Sequence, residues 1–269
     1  MLIDSHVHTI HSADSETPVS SMIERAIDLG MKKICITDHH DFDYPNHGND
    51  IYDFCMDAPA YYSDMLKWRE YFKDQIHVLI GAEVGVEPYL AEKLEKFVNS
   101  QPFDFIIGSS HIIHRMDPYY PDFFENRKDT ECFMDYFESI LENLQVFSNF
   151  DVYGHLDYIV RYAPLKDTNY SYSLFCDVID EILKKLIDMG KGIELNTGGF
   201  LKLSTPNPHP DIIKRYKELG GEIITVGSDA HFTKDLGGHF SQAADILKDC
   251  GFRYYTVFCQ RRPEFVPLD

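Results

Sequence analysis

The chain contains no run of 18 apolar residues, so no membrane-spanning helix is expected. Its first residues, Met1-Leu2-Ile3-Asp4-Ser5-His6, lack the basic and apolar regions of a secretory signal. The six cysteines (Cys35, Cys55, Cys132, Cys176, Cys250 and Cys259) show no CxxC spacing. They read as free thiols of a reducing compartment, which makes the cytoplasm the expected location. No GxGxxG follows the first apolar run and no GxxxxGK[ST] occurs, so the glycine loops of dinucleotide and Walker-type sites are missing. No cysteine stands in the loop context of a cysteine phosphatase, and a covalent phosphoenzyme route therefore has no nucleophile. Internal repeats, low-complexity tracts and dividing linkers are also lacking, and residues 1–269 read as one domain. Positive charge is scarce: 25 Lys and Arg stand against 44 Asp and Glu, a formal net charge of −19. Such a field repels polyphosphate backbones and anionic bilayers, so neither nucleic acid nor membrane is an expected partner.

What is present is ordinary globular material, 44% apolar and 26% charged, arranged as short apolar runs alternating with amphipathic segments. The runs Leu2–Ser5, Lys33–Thr37, His77–Val84, Phe103–Gly108, Asp151–Gly154, Gly192–Leu195, Glu222–Val226 and Tyr254–Phe258 read as buried parallel strands. Helical periodicity marks a segment opened by Thr17-Pro18 and closed by Gly30, then Pro88–Asn99, Phe133–Phe147, Ser173–Met189 and Pro210–Leu219. Residues 41–62 and 114–130, rich in Tyr, Phe, Asp, Asn and Pro, read as loops after the second and fourth strands. Repeated βα units in this number favour an α/β barrel over an open doubly wound sheet.

The thirteen histidines are placed rather than scattered. His6-Val7-His8 ends the first strand, where residues two apart point to one side and can grip one ion. Asp38-His39-His40 ends the second, and Glu83 lies within or just past the third. Ser109-Ser110-His111, His155-Leu156-Asp157 and Ser228-Asp229-Ala230-His231 end later strands. In a closed parallel barrel these ends converge on one mouth, where such folds do chemistry. With Asp14 the polar groups number nine, too many for one four-coordinate ion, so two or three divalent ions are indicated. Mixed imidazole and carboxylate ligands suit zinc, manganese or iron(II). His40, His47, His114 and His209 read as solvated or locally bonded loop residues, and Asp38 and Asp157 as partners of ligand imidazoles.

These motifs resemble the PHP (polymerase and histidinol phosphatase) superfamily, most closely its histidinol-phosphate phosphatases. The resemblance rests on Asp4-x-His6-x-His8-Thr9, Ser12-x-Asp14-Ser15, Thr37-Asp38-His39, Gly81-x-Glu83, Gly108-Ser109-x-His111, Gly154-His155-x-Asp157 and Ser228-Asp229-x-His231, in the family's order. It implies a distorted (β/α)7 barrel with a trinuclear centre. One ion would be held by His6, His8, Glu83 and Asp229, a second by Asp14, His39 and His231, and a third by Glu83, His111 and His155. Many relatives carry histidine where Asp14 stands. The implied reaction is hydrolysis of L-histidinol phosphate by a metal-bridging hydroxide, with Glu83, Asp229 and His231 around it, as a step of histidine biosynthesis. Arg161, six residues past His155, is the expected phosphate clamp because its planar fork matches phosphate oxygens. The family's second arginine position holds Leu201 here, and the neighbouring Lys202 is the candidate cation. Three other readings remain open: a phosphoesterase for another small ester, an amidohydrolase, and a metal-binding module without activity. An amidohydrolase would want a bridging lysine on strand four, where the chain has Ser109-Ser110-His111.

Overall fold

The computed structural model describes residues 3–268. Its apolar runs form β1 (Lys33–Ile36), β2 (His39–His40), β3 (His77–Gly85), β4 (Phe105–Ser109), β5 (Val152–Tyr153), β6 (Gly192–Asn196) and β7 (Ile224–Gly227). They pair in parallel in the order β1-β3-β4-β5-β6-β7, and β2 also lies on β3. From Val78 to Gly85 every residue of β3 is buried, as expected of a parallel strand covered on both faces.

The segment before β1 closes the sheet on itself. Cys35 N donates to Asp4 O at 2.9 Å on one side, while Ser5 N donates to Val226 O at 3.0 Å on the other. The second seam continues through Asp229 N to His6 O and His8 N to Ala230 O. Only isolated bridges form along it, so Ile3–Ser5 is a bridging segment rather than a regular strand; Leu2 lies outside the described residues. With β1 and β2 as one stave broken at Thr37-Asp38, the curled sheet is a distorted (β/α)7 barrel.

Helices clothe the sheet because each presents an apolar stripe at helical spacing. In α1 (Val19–Asp28) Met22, Ile23 and Ala26 are buried, and Gly30 at φ +75° ends the turn that follows. The pattern repeats in α3 (Ala91–Val98), α5 (Cys176–Asp188) and α6 (Pro210–Glu218). The helix α4 (Asp129–Val146) begins four residues before its apolar periodicity, because the Glu131 carboxylate accepts Lys128 N and extends the N-terminus.

Three elements differ from expectation. Inside the segment read as a loop, α2 (Ala58–Phe72) starts where Asp57 Oδ1 caps Ala60 N at 3.1 Å. A further helix, α7 (Phe240–Asp249), precedes the last strands. The run Tyr254–Phe258 does not join the barrel: β8 (Tyr254–Cys259) pairs antiparallel with β9 (Arg262–Pro267). This hairpin is tied to the barrel through Arg261 N to Asp104 O at 2.8 Å and Arg261 Nε to Asp151 Oδ2 at 2.5 Å. No helix among the described residues is long and apolar enough to cross a membrane.

Candidate metal centre

Glu83 stands at the middle of the barrel mouth and is fully buried. It is placed by β3, whose register sets it opposite His39 of β2 and Ile107 of β4. Two groups of side chains meet its two oxygens. At Oε2, His6 Nε2 lies at 3.1 Å and His8 Nε2 at 3.5 Å, while Asp229 Oδ1 is 3.6 and 3.3 Å from the same two nitrogens. At Oε1, His155 Nε2 lies at 2.8 Å and His111 Nε2 at 3.1 Å, with the two nitrogens 3.3 Å apart. A third group sits toward solvent, where Asp14 Oδ2 is 3.1 Å from His231 Nε2 and 3.8 Å from His39 Nε2. The other nitrogen of His39, Nδ1, faces Glu83 Oε2 at 3.1 Å, so this ring stands between two groups.

These separations suit bound cations. Zinc–nitrogen bonds of about 2.05 Å in a tetrahedron set ligand atoms about 3.3 Å apart, and most of the distances fall close to that edge. Buried His6 Nε2, His8 Nε2, His39 Nδ1, His231 Nε2 and Glu83 Oε2 have no hydrogen-bond partner, although they face one another. Buried polar atoms without partners are costly unless something else satisfies them, and divalent ions would satisfy all five. All nine sequence-derived candidates therefore line one mouth, and three sets of their ligand atoms lie within 4.8 Å of one another: His6, His8 and Glu83; His8, His39 and His231; and His39, Glu83 and His111.

The opposite ring nitrogens are held by groups that fix the tautomer. His6 Nδ1–H donates to Glu194 Oε1 at 2.6 Å, and His111 Nδ1–H donates to Asp41 Oδ1 at 2.8 Å. Ser12 Oγ donates to Asp38 at 2.7 Å and so accepts from His8 Nδ1 at 3.1 Å. Ser109 Oγ donates to Glu83 Oε1 at 2.7 Å. Glu194, Asp41, Ser12 and Ser109 have no assigned role in the sequence reading. Glu194 carried a signal, a carboxylate inside an otherwise apolar buried strand; Asp41 carried only its closeness to His39. Two expected partnerships differ. Asp38 reaches its imidazole through Ser12, and Asp157 touches none, accepting instead from Asn207 Nδ2, Tyr170 OH and His209 N.

Electrostatically the cluster is a mesh of opposite charges. Burial penalises the Glu83 carboxylate, yet His6, His111 and His39 together hold it well below the usual range. Burial alone would depress His6, but Glu194, Glu83 and Asp229 carry it well above an ordinary histidine. The same contest raises His111 through Asp41 and Glu83, and takes His231 to about 9 through Asp14. His8 goes well below, because burial and the flanking His39 and His231 act in one direction.

Arg161 is buried beneath Asp229. Its guanidinium donates to Asp229 Oδ2 at 2.9 Å, Asn196 Oδ1 at 2.8 Å and Asn207 Oδ1 at 2.6 Å. Lys202 is exposed at the rim, its ammonium 4.0 Å from the centroid of Tyr162. Partial desolvation and the charge of Arg161 push its pKa down to about 8. A cavity of about 270 Å³ opens beside Asp14, His39 and His111 and is walled by aromatic rings. The four histidines read as loop residues stand apart: His40 is buried and stacked on Phe97, His47 and His114 are exposed beside Asp122 and Glu142, and His209 caps α6.

Comparison with known proteins finds full-length relatives. A histidinol-phosphatase of Lactococcus lactis is 32% identical over 257 residues, covering 95% of this chain and 94% of its own. A probable histidinol-phosphatase of Clostridium acetobutylicum is 34% identical over 265 residues, covering 97% and 98%. The crystal structure of a histidinol phosphate phosphatase from Lactococcus lactis, complexed with zinc, L-histidinol and phosphate, superposes with a TM-score of 0.91 at 31% identity, covering 98% of each chain. The PHP domain profile matches residues 4–198, and with full-length relatives above 30% identity the chain belongs to the PHP domain family.

Proposed function

We propose that this chain hydrolyses L-histidinol phosphate to L-histidinol and phosphate, with three divalent ions, zinc foremost, held in the three groups around Glu83. The observation that carries the reading is the convergence of nine imidazole and carboxylate ligands at ion-coordinating separations beside a 270 Å³ cavity. The names and bound molecules of the full-length relatives support the substrate. In this reading residues 1–269 act as one catalytic domain, in the cytoplasm, in histidine biosynthesis.

Bound divalent ions supply a water of lowered pKa and neutralise phosphoryl oxygens. The chain's own residues do the rest. Glu194 and Asp41 accept the Nδ1 protons of His6 and His111, which leaves each Nε2 lone pair aimed into the cluster. Glu83 offers one oxygen to each of two groups and so sets their spacing. Asp229 and His231 line the mouth where the phosphoryl group would sit. Arg161 spends three N–H groups on Asp229, Asn196 and Asn207, leaving two for a phosphate oxygen. Lys202 contributes a point charge at the rim.

The test is a steady-state comparison on protein purified without chelator. The kcat/KM for histidinol phosphate should exceed that for p-nitrophenyl phosphate by at least about 100-fold, roughly 2.7 kcal/mol of discrimination. A smaller ratio, with another small phosphate ester turned over faster, would replace the substrate. Fewer than two tightly bound ions per chain would overturn the three-ion centre.

A further inference from the structure

Beyond Asp14, His39 and His111, the walls of the cavity beside the metal centre are aromatic and acidic. On the loop after β2, Phe54 meets His39 edge-on with centroids 5.4 Å apart, and Tyr44 and Tyr52 pack on Phe54 at 4.6 and 5.6 Å. From the loop after β4 and the turn after β5, Tyr119 and Tyr158 pack on Tyr162 at 5.4 and 4.9 Å. All six rings line the cavity, and no lysine or arginine does. Apart from the rim Lys202 over Tyr162 and Tyr119, these aromatic walls carry no lysine or arginine and suit a flat ring or an organic cation.

Asp117 lines the same cavity and is 7% exposed. Tyr44 OH donates to its Oδ2 at 2.5 Å and Tyr119 N to its Oδ1 at 2.7 Å, so the carboxylate is fixed and one acceptor position on each oxygen remains. The Tyr44 bond crosses from the loop after β2 and ties it to the loop after β4, while the Tyr119 bond closes a turn within Asp117's own loop. Among the described residues no lysine, arginine or histidine lies within ion-pair distance of it, although His111 and the rim Lys202 act on it from further off, and burial pushes its pKa up. A buried carboxylate with open acceptor positions toward a cavity and no ion pair in contact is best satisfied by a ligand that brings a donor and a positive charge. Asp41 cannot play this part, since its oxygens face His111 and His39. Asp50, the remaining carboxylate of the walls, is exposed and loses little by staying solvated.

We propose that Asp117 is the specificity-determining residue for the organic half of the substrate, pairing with the ammonium of a 2-amino alcohol phosphate whose flat ring rests on Tyr52 and Phe54. The assignment rests on the phosphatase reading above. It goes beyond that reading in naming which atoms select the alcohol, and in implying that esters with an anionic alcohol half are rejected.

The experiment is a cycle of two substrates and two proteins, each protein fully loaded with zinc. The substrates are histidinol phosphate and 3-(imidazol-4-yl)propyl phosphate, the same ester without the amine; the proteins are wild type and Asp117→Asn. Wild type should prefer the amine-bearing ester in kcat/KM by about tenfold or more, the usual worth of a hydrogen bond between charged groups. In Asp117→Asn that preference should collapse toward unity. A merely structural aspartate would lower both esters together and leave the preference standing, and that result overturns the proposal. Loss of the preference in Asp50→Asn but not in Asp117→Asn overturns it too, moving the contact to Asp50. Tyr44→Phe frees the carboxylate without changing charge and should cut the preference by a smaller factor, which keeps the test open if Asp117→Asn folds poorly. A wild type that turns over neither imidazole ester faster than p-nitrophenyl phosphate overturns the activity reading itself, whereas a preference retained in Asp117→Asn and Tyr44→Phe overturns this proposal alone.

Discussion

Loading the cluster with divalent ions should release about three protons per chain near pH 7. Without ions, His6 and His111 titrate well above an ordinary histidine, since Glu194 and Glu83 around one and Asp41 and Glu83 around the other outweigh burial. Asp14 and Asp229 likewise carry His231 to about 9. All three are therefore protonated at neutral pH, standing in as cations among the carboxylates. His8 and His155 are depressed, chiefly by burial, and hold no proton to give. Coordination needs the imidazole lone pairs, so the three protons must leave as ions enter. His39, raised as well, adds part of a fourth.

The sign follows from linkage. Apparent affinity for the full complement should rise with pH, with a slope in log K of about three near neutrality. The slope should fall by about one above about pH 9, where His231 has already lost its proton. Calorimetric titration with zinc at pH 7, in two buffers of different ionisation enthalpy, reads the proton count directly. A count below one, or an affinity independent of pH across neutrality, would refute the assignment of protonated imidazoles as stand-ins for the ions.

Arg161 and Gly227 give two sharper tests of how the centre is built. Arg161→Ala removes one of the cations facing the largely buried Asp229 carboxylate, beside His6 and His231, and leaves the Asn196 and Asn207 oxygens without their donor, so it should cost about 1–3 kcal/mol of stability, together with bound metal. Arg161→Lys, which restores the charge, should recover part of both; calorimetric unfolding and metal analysis check this, and full metal content in the alanine variant would return Arg161 to a purely phosphate-facing role. At Gly227 a Cβ would lie 2.3 Å from His6 Cβ and 2.4 Å from Glu194 Oε1. Gly227→Ala should therefore displace His6 and lower zinc stoichiometry, with an overpacking cost of about 1–3 kcal/mol in thermal melts.

The ligands were legible because barrel geometry converts sequence position into place. A residue at the end of a buried parallel run must face the mouth, so His6, His8, His39, His111, His155 and Asp229 could be read from run ends alone. Glu194 escaped because it sits inside its run, and nothing local says that its carboxylate reaches across the barrel to His6. Asp41 and Asp117 lie in long loops, where partners are set by tertiary contacts rather than by periodicity. The helix α2 was obscured for a related reason: its buried Tyr61, Met65 and Phe72 are interleaved with exposed Leu66 and Tyr71, which blurs the apolar stripe. Tyr254–Phe258 has the composition of a barrel strand, and only the turn at Gln260-Arg261, with positive φ at both residues, sends the chain back antiparallel.

A net charge of −19 looks ill suited to a phosphate ester, and the walls of the cavity make the difficulty local. Asp14, Asp41, Asp50 and Asp117 line it without a single lysine or arginine. Three divalent ions would bring about +6 to one end by simple count, while the other end keeps Asp117, which makes no ion pair in contact. The cavity then becomes electrically polar along its length, positive at the imidazole cluster and negative at the aromatic walls. An ester with a phosphate at one end and an ammonium at the other is oriented by that field before any short-range contact forms, whereas one anionic at both ends is favoured by only one half of it. On that proposal, the acidity that disfavours nucleic acid at the surface would select, inside the barrel, for a phosphate joined to a cation.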